Sequence, residues 1–386
     1  MQEITFVKED FLARQEEARK NMEEAGLCGM ILSAEANVSY YTGYRTHAPW
    51  KTFTRPQFLF FPVNGRPLLY TQTFVTPEAS IIAAGCIHRN FDTLLSPTGK
   101  ELADICHELG MDHGKLGFEL GLEQRINYPV ETWMELRENL QQTEFVDCSA
   151  LLWKQKLIKS RKEIACIRRA CQATGYAFDR LFPSIRPGMT EREIAVLAQK
   201  YMLEGGAEYP GFVVITSGAG NYGRISSVSS ERIPQKGDMI WIDLGADYLG
   251  YWSDFCRACV MGPVSMSRKK RQEDIVEITA EAASVLGPGV PVSEVAKACQ
   301  AALEKRGYSA TYDCGRMGHG LGMLSTEPPS VTTWDQSILH AGMIIALEPG
   351  ILDEDGVFCV EENYVITDNG FEQLSCGNRN LYGVRC

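Results

Sequence analysis

Two stretches of this chain are imperfect copies of one another. RPGMTEREIAVLAQKYMLEGG (residues 186–206) superposes on GPGVPVSEVAKACQAALEKRG (287–307) at an offset of 101 residues, from 186 to 287. Pro187-Gly188 falls on Pro288-Gly289, Glu193-Ile194-Ala195 on Glu294-Val295-Ala296, and Gly206 on Gly307. Each copy reads as a turn followed by an amphipathic helix, and strand-like segments follow each. A repeat this long predicts two similar α+β halves packed against each other rather than a solenoid of short units. Two halves closing on one another leave a cleft, and clefts of that kind commonly hold ligands.

The 386 residues exceed what one compact core serves and predict about two domains. The first 150 residues read as α/β: a helix near 9–26, the apolar runs GMILS, FLFFPV and PLLYT as strands, and helices near 98–110 and 129–141. LLWKQKLIKSRKEIACIRRACQATGYAF then begins a long helix, with Ser160 and Glu163 spaced as a capping box at its start. The boundary is placed just before it, giving domains 1–154 and 155–386.

Composition narrows the function. A net charge of −11 opposes phosphate binding, so no nucleic-acid partner is expected. The one basic cluster, SRKKRQ at 267–272, reads as part of a solvated helix. No apolar run reaches the ~18–20 residues that span a bilayer. The N-terminus, MQEITFVKEDFLARQEEARK, is charged and lacks the apolar centre of a signal peptide. No membrane partner and a cytoplasmic location are therefore expected. Thirteen cysteines without regular spacing fit reduced thiols better than a disulfide framework. Cys256 and Cys259 form the one CxxC, in a predicted strand where positions three apart point to opposite faces, which argues against a redox pair.

GHGLGMLSTEPP (318–329) sets His319, one of only six histidines, between two glycines. Its imidazole reads as a metal ligand, a catalytic base or a core residue, depending on which acidic groups converge on it. DMIWIDLGADYLGYWSDFCRACVMG (238–262) reads as a hairpin turning at Tyr248-Leu249-Gly250. Asp243 and Asp254 fall inside its predicted strands, where they can face each other across the ladder. Such a pair is either a set of exposed edge charges or, if buried, in need of a cation between them. MIIALEPGI (343–351) ends an apolar strand at Glu348, and GVFCVEENYVIT (356–367) carries Glu361 and Glu362. The last two point to opposite faces of a strand, so only one enters a site, and the period alone does not choose. Two Asp, two Glu and one His make a hard oxygen set with a single imidazole, suited to two divalent ions such as Mn²⁺, Fe²⁺ or Co²⁺, or Zn²⁺. His319 is predicted to be a metal ligand.

With these segments the sequence resembles the pita-bread fold enzymes, the family of prolidase, aminopeptidase P, methionine aminopeptidase and creatinase. The resemblance covers nearly the whole chain. It is carried by IDLGADYLGYWSDFCR, GHGLG, LEPGI and VEENYVITDNGFE, together with the joint IKSRKEIACIRRA. It implies an α/β creatinase-like N-terminal domain followed by an α+β pita-bread catalytic domain with a pseudo-twofold internal repeat. The E-x-N spacing of the last motif registers Glu361, not Glu362, as a ligand. By the same resemblance Asp243 holds one ion, Asp254 and Glu361 bridge, and His319 and Glu348 hold the other. The implied activity is hydrolysis of a small amide, on the Xaa-Pro dipeptidase or aminopeptidase P pattern. A hydroxide held between two ions, Mn or Fe first and Co or Zn next, would attack the carbonyl with Glu348 as general base. A homodimer is implied as well, in which His47 of YRTHAPWKTF reaches the neighbouring subunit's site.

The departures bear on substrate. The peptidases carry a second His seven residues after the ligand His, and Thr326 stands there; their upstream His falls at Ser226; and the Arg before the last Glu ligand of many proline peptidases is Cys359. Thr326 is left as a substrate-binding candidate. Arg224, able to grip a substrate carboxylate in bidentate fashion, is another. Tyr312 is a candidate acid or base, since a nearby cation lowers its pKa. Creatinase and ectoine hydrolase, which cleave small non-peptide molecules, and dimethylsulfoniopropionate lyase share the fold. A non-peptidase enzyme on the same metal site is therefore the alternative. A non-catalytic binding protein is a third reading, opposed by the intact ligand set.

Overall fold

The computed structural model describes residues 4–46, 56–92, 97–309 and 315–385. It divides into two compact units, Met1–Lys156 and Leu157–Cys386. His47 and Tyr312 lie outside the described residues.

Six strands form a mixed sheet in the first unit: β1 (Leu27–Leu32), β2 (Phe58–Pro62), β3 (Leu68–Gln72), β4 (Ile87–Phe91), β5 (Gly114–Phe118) and β6 (Thr143–Asp147). Their spatial order is β4-β3-β2-β1-β5-β6. β2 runs antiparallel to both of its neighbours, and the remaining pairs are parallel. β2 and β3 are buried at every residue, as continuous apolar runs require when both faces are covered. The helices are α1 (Lys8–Ala25), α2 (Glu35–Thr42), α3 (Thr76–Ile82), α4 (Gly99–Glu108), α5 (Val130–Asn139) and α6 (Ser149–Lys156). Phe58, Phe60, Leu68 and Phe118 of the sheet pack with Leu102 and Cys106 of α4 and Leu136 of α5. This is the α/β architecture that the alternating apolar runs predict.

The second unit opens with α7 (Arg161–Ser184). Ser160 caps it, accepting from the Glu163 N–H while the Glu163 carboxylate accepts from the Ser160 N–H, the local signal the sequence carries. α8 (Glu191–Glu204) follows. Next come β7 (Tyr209–Ser217), β8 (Met239–Tyr248), β9 (Tyr251–Trp252) and β10 (Phe255–Met261). The second half repeats the plan with α9 (Met266–Ala283), α10 (Val292–Lys305), β11 (Gly318–Gly320), β12 (Glu327–Ser330) and β13 (Ile344–Leu347). It ends with β14 (Gly350–Asp353), β15 (Gly356–Cys359), β16 (Glu362–Thr367), β17 (Gly370–Gln373) and β18 (Tyr382–Val384). α8 and α10 have the same length of 14 residues and start and stop 101 residues apart, at 191 and 292 and at 204 and 305, so the sequence repeat is a structural one.

Each half builds the body of one sheet, ordered β18-β10-β8-β7, where the C-terminal β18 joins the first half's strands, and β12-β11-β13-β16-β17. One core joins them: Trp241, Ala258 and Val260 of the first sheet pack with Ile345, Leu347 and Ile366 of the second and with Ile278, Val295 and Cys299 of α9 and α10. Among the described residues no helix is long and apolar enough to cross a membrane. The eleven described cysteines are all free thiols.

A buried ion pair also ties the two sheets together. Arg257 on β10 donates to the Glu362 carboxylate of β16 at 2.8 Å, to the Glu361 carbonyl at 2.9 Å and to the Cys256 carbonyl at 2.8 Å. Arg379, Gln373 and Ser375 satisfy the rest of the Glu362 carboxylate. Removing one partner of such a pair strands the other charge in the interior. Arg257→Met should therefore cost about 3–5 kcal/mol of stability. Chemical denaturation checks it, and a loss below about 1 kcal/mol would show that the pair does not fasten the sheets.

Candidate metal centre

β8 delivers Asp243 from the middle of the first sheet, half-buried. The hairpin turns at Leu249 and Gly250, both with positive φ, and Tyr248 pairs with Tyr251 as the sequence suggests. Its second strand is interrupted, however. β9 ends at Trp252 and β10 begins at Phe255, so Asp254 lies in the break and not inside a strand. The residue directly across from Asp243 is Cys256, correcting the expectation that the two aspartates oppose each other. Asp254 lies two residues from Cys256, the diagonal position from Asp243, and the Asp243 charge acts on its carboxyl.

The second sheet supplies the rest. β11 carries His319 between β12 and β13, and the flanking glycines have a packing reason. A Cβ on Gly318 would lie 2.1 Å from the Ala346 carbonyl oxygen, and one on Gly320 would lie 2.0 Å from that of Pro328. Only glycine lets three strands approach so closely around the imidazole. Glu348 follows β13, its N–H bonded to the Met317 carbonyl at 2.9 Å. Glu361 immediately precedes β16.

These groups converge on one atom. His319 Nε2 lies 3.6 Å from Asp254 Oδ2, 3.8 Å from Glu348 Oε1 and 3.9 Å from Glu361 Oε1. None of these is a hydrogen bond. His319 Nδ1 donates to the Gly320 carbonyl at 2.9 Å, which leaves the Nε2 lone pair facing the carboxylates. Burial, with the Arg316 charge adding to it, drops the imidazole pKa to about 4 and keeps the ring neutral.

Four carboxylates crowd this space, and none forms an ion pair with a lysine or arginine among the described residues. One oxygen of Asp243 is buried without a hydrogen-bond partner among the described residues. Burial pushes the Asp243 pKa up to about 7. Burial and then the Asp243 charge push Glu348 up to about 8. Asp254 and Glu361 are raised well above the carboxylate range by burial and then by neighbouring acids. Glu362, one residue from Glu361, is fully neutralised by Arg257 and Arg379, whereas the carboxylates that meet the imidazole have no ion-paired arginine or lysine among the described residues. Ligands of one ion at ~2.0–2.2 Å stand ~3–4 Å from each other, the spacing seen around Nε2. The donor chemistry and the missing positive charge both fit divalent metal.

The other sequence candidates lie apart from this convergence. Arg224 is half-buried in the loop between β7 and β8 and makes no ion pair with a described residue. Ser226 is exposed in the same loop. Thr326 is half-buried in the bend before β12, its hydroxyl without a hydrogen bond to a described residue. Its neighbour Glu327 is buried and accepts from Lys159 Nζ at 2.8 Å and from the Met323 and Leu324 N–H groups at 2.8 and 3.2 Å, which fixes the segment after His319. Sequence reasoning alone does not single out Lys159, Arg316 or Asn363. Arg316 had a signal, three residues before His319, and Asn363 stands in the E-x-N motif itself.

Against known proteins, metallopeptidase family M24 matches residues 165–368, and the creatinase/prolidase N-terminal domain matches residues 14–158. The chain belongs to metallopeptidase family M24. It is a metal-dependent hydrolase of the pita-bread fold with a creatinase-type N-terminal domain. A Xaa-Pro dipeptidase of Pyrococcus horikoshii is 30% identical over 263 residues, 68% of this chain and 74% of that one. An uncharacterized peptidase of Bacillus subtilis is 27% identical across 95% of this chain and 98% of its own. The crystal structure of a prolidase from Thermococcus sibiricus superposes with a TM-score of 0.86, covering 97% of this M24 chain and 99% of that chain at 24% identity.

The electrostatics set a pH dependence. A carboxyl whose pKa is raised in the fold binds its proton more tightly there than in the unfolded chain, so stability falls as pH rises between the two values. For Asp243 and Glu348 that window runs from the ordinary carboxylate range up to about 7 and about 8. Chelator-treated protein should lose thermal stability from pH 5 to pH 8. Asp243→Asn should raise its Tm at pH 8 by at least ~3 °C, since a tenfold difference in proton affinity between folded and unfolded chain is worth about 1.4 kcal/mol. Calorimetry with and without chelator reads both, and a metal-free Tm that rises over this range would contradict the clustering of ionised carboxylates.

Proposed function

We propose that this chain is a dinuclear metal peptidase acting on Xaa-Pro dipeptides, with Asp243, Asp254, His319, Glu348 and Glu361 as the ligands. The observation that carries the proposal is the set of carboxylates around the Nε2 lone pair of His319, none of them ion-paired with a described lysine or arginine. The Xaa-Pro dipeptidase of Pyrococcus horikoshii supports the substrate class. Asp243 would hold one ion, Asp254 and Glu361 would be shared, and His319 and Glu348 would hold the other. Hard oxygen donors with one imidazole suit Mn²⁺ or Fe²⁺ first, then Co²⁺ or Zn²⁺. Such ions supply Lewis-acid polarisation of an amide carbonyl and a nucleophile active at neutral pH.

The chain's own groups do the remaining work. The Gly320 carbonyl holds the His319 tautomer that offers Nε2. Glu348, with a side chain 18% exposed against 3% for Glu361, is open enough to reach substrate. It takes the proton released on attack and returns it to the leaving nitrogen. The Lys159–Glu327 pair keeps the loop after His319 in place, and with it Thr326. The free thiols of the described cysteines suit a reducing, cytoplasmic setting. The homodimer belongs to the same proposal, and light scattering at micromolar concentration tests it.

One observation favours a second reading. Thr326, where the peptidases place a histidine, is half-buried without a hydrogen-bond partner among the described residues. A pocket reshaped for a small non-peptide substrate would have that composition. One variant separates the two readings. If the enzyme is a dipeptidase, Thr326→His restores a donor to the developing oxyanion. Activity on Xaa-Pro dipeptides should then rise about 10- to 1,000-fold. Assays of wild type and variant on Xaa-Pro dipeptides, ectoine, creatine and dimethylsulfoniopropionate check this. Wild-type turnover of a non-peptide substrate alone, weakened by the histidine, would overturn the peptidase reading.

A further inference from the structure

Asp254 poses a backbone problem that the strands leave unsolved. It is buried, yet it falls between β9 and β10, so its N–H and C=O have no ladder partner. Orphaned main-chain groups at that depth are rare, and here one side chain serves both. The Asn363 Oδ1 accepts from the Asp254 N–H at 3.0 Å, and the Asn363 Nδ2 donates to the Asp254 carbonyl. This orientation of the amide is the only one compatible with both contacts, since a flipped group would set donor against donor and acceptor against acceptor. A third bond, from the Cys171 thiol of α7 at 3.4 Å, uses the second lone pair of Oδ1.

Asn363 is itself held firmly. It lies in β16, opposite Ala346 of β13, with no solvent exposure. Its N–H donates to the Ser375 Oγ at 3.0 Å and its carbonyl accepts from the Leu374 N–H at 2.8 Å. Two residues earlier on the same stretch is Glu361, and positions two apart share a face of an extended chain. One amide thus couples a carboxylate of the first half, Asp254, to a carboxylate of the second, Glu361. The two are the shared ligands of the proposed centre, and both lie within 3.9 Å of His319 Nε2.

We propose that Asn363 is the positioning residue that sets the spacing of Asp254 and Glu361, and through it the affinity of the centre for divalent ions. The proposal rests on the metal reading of the site. Groups that orient ligands from behind typically contribute 10- to 100-fold in metal affinity. Asn363→Asp keeps an acceptor for the Asp254 N–H but removes the donor to its carbonyl, and should weaken Mn²⁺ binding by about that factor. Ser375→Ala serves as the control. It removes a hydrogen bond to the Asn363 main chain, together with one to the Glu362 carboxylate, at the same depth while leaving the amide on Asp254.

The experiment is competition between each folded protein and a fluorescent chelator for Mn²⁺, read well below the Tm of every variant. Wild type and Ser375→Ala binding alike, with Asn363→Asp at least tenfold weaker, is the expected result. Should Asn363→Asp not fold, Asn363→Ser, which is uncharged and too short to span both groups, takes its place with the same expectation. Asn363 variants that bind within threefold of wild type would overturn the positioning role and leave the metal reading standing. Equal losses in the Asn363 and Ser375 variants would also overturn it, since general loosening of β16 would then explain both. A wild type that binds no divalent ion would overturn the metal reading and this proposal with it.

Discussion

Four carboxylates drawn together around one neutral imidazole, with no lysine or arginine paired to any of them among the described residues, are the constraint on which this structure turns. Like charges at that spacing repel strongly in a low-dielectric interior, so the fold must hold them against their own field. It does so from both halves of the repeat. Asp243 and Asp254 come from the first half, and His319, Glu348 and Glu361 from the second. The packing around them has the rigidity this demands: glycines that bring β11 against β12 and β13, and Arg257 fastened across the two sheets.

Glu361 and Glu362 show how sharply the fold divides its charges. They are adjacent in sequence and equally buried, yet one meets two arginines and the other meets carboxylates. A buried acid with paired arginines is a structural element that needs nothing further. A buried acid among acids leaves a deficit of positive charge that divalent ions are suited to fill. In this M24 chain the candidate metal ligand and the brace stand side by side at the start of β16.

Much of this was legible in the sequence because it is local or periodic. The 101-residue offset of the sequence repeat is also the offset between α8 and α10. Ser160 and Glu163 marked the start of α7, since a capping box is written within four positions. Acidic residues inside apolar runs pointed to the carboxylates that gather near His319. What escaped was long-range. Lys159 reaches Glu327 across 168 residues, and Asn363 reaches Asp254 across 109. Neither pairing leaves a periodic trace. The interruption of the hairpin at Asp254 was missed for the same reason, because the side chain that replaces its ladder comes from the other half of the unit. Period-2 reasoning could show that Glu361 and Glu362 part company but not which way, and the position of Arg257 decides it.

The central claim, that this cluster is a two-ion centre, is tested most directly by anomalous diffraction from crystals grown with Mn²⁺. The account predicts two peaks about 3.5–4 Å apart, bounded by Asp243, Asp254, His319, Glu348 and Glu361. A well-ordered crystal with this cluster intact and its manganese bound only elsewhere would contradict it.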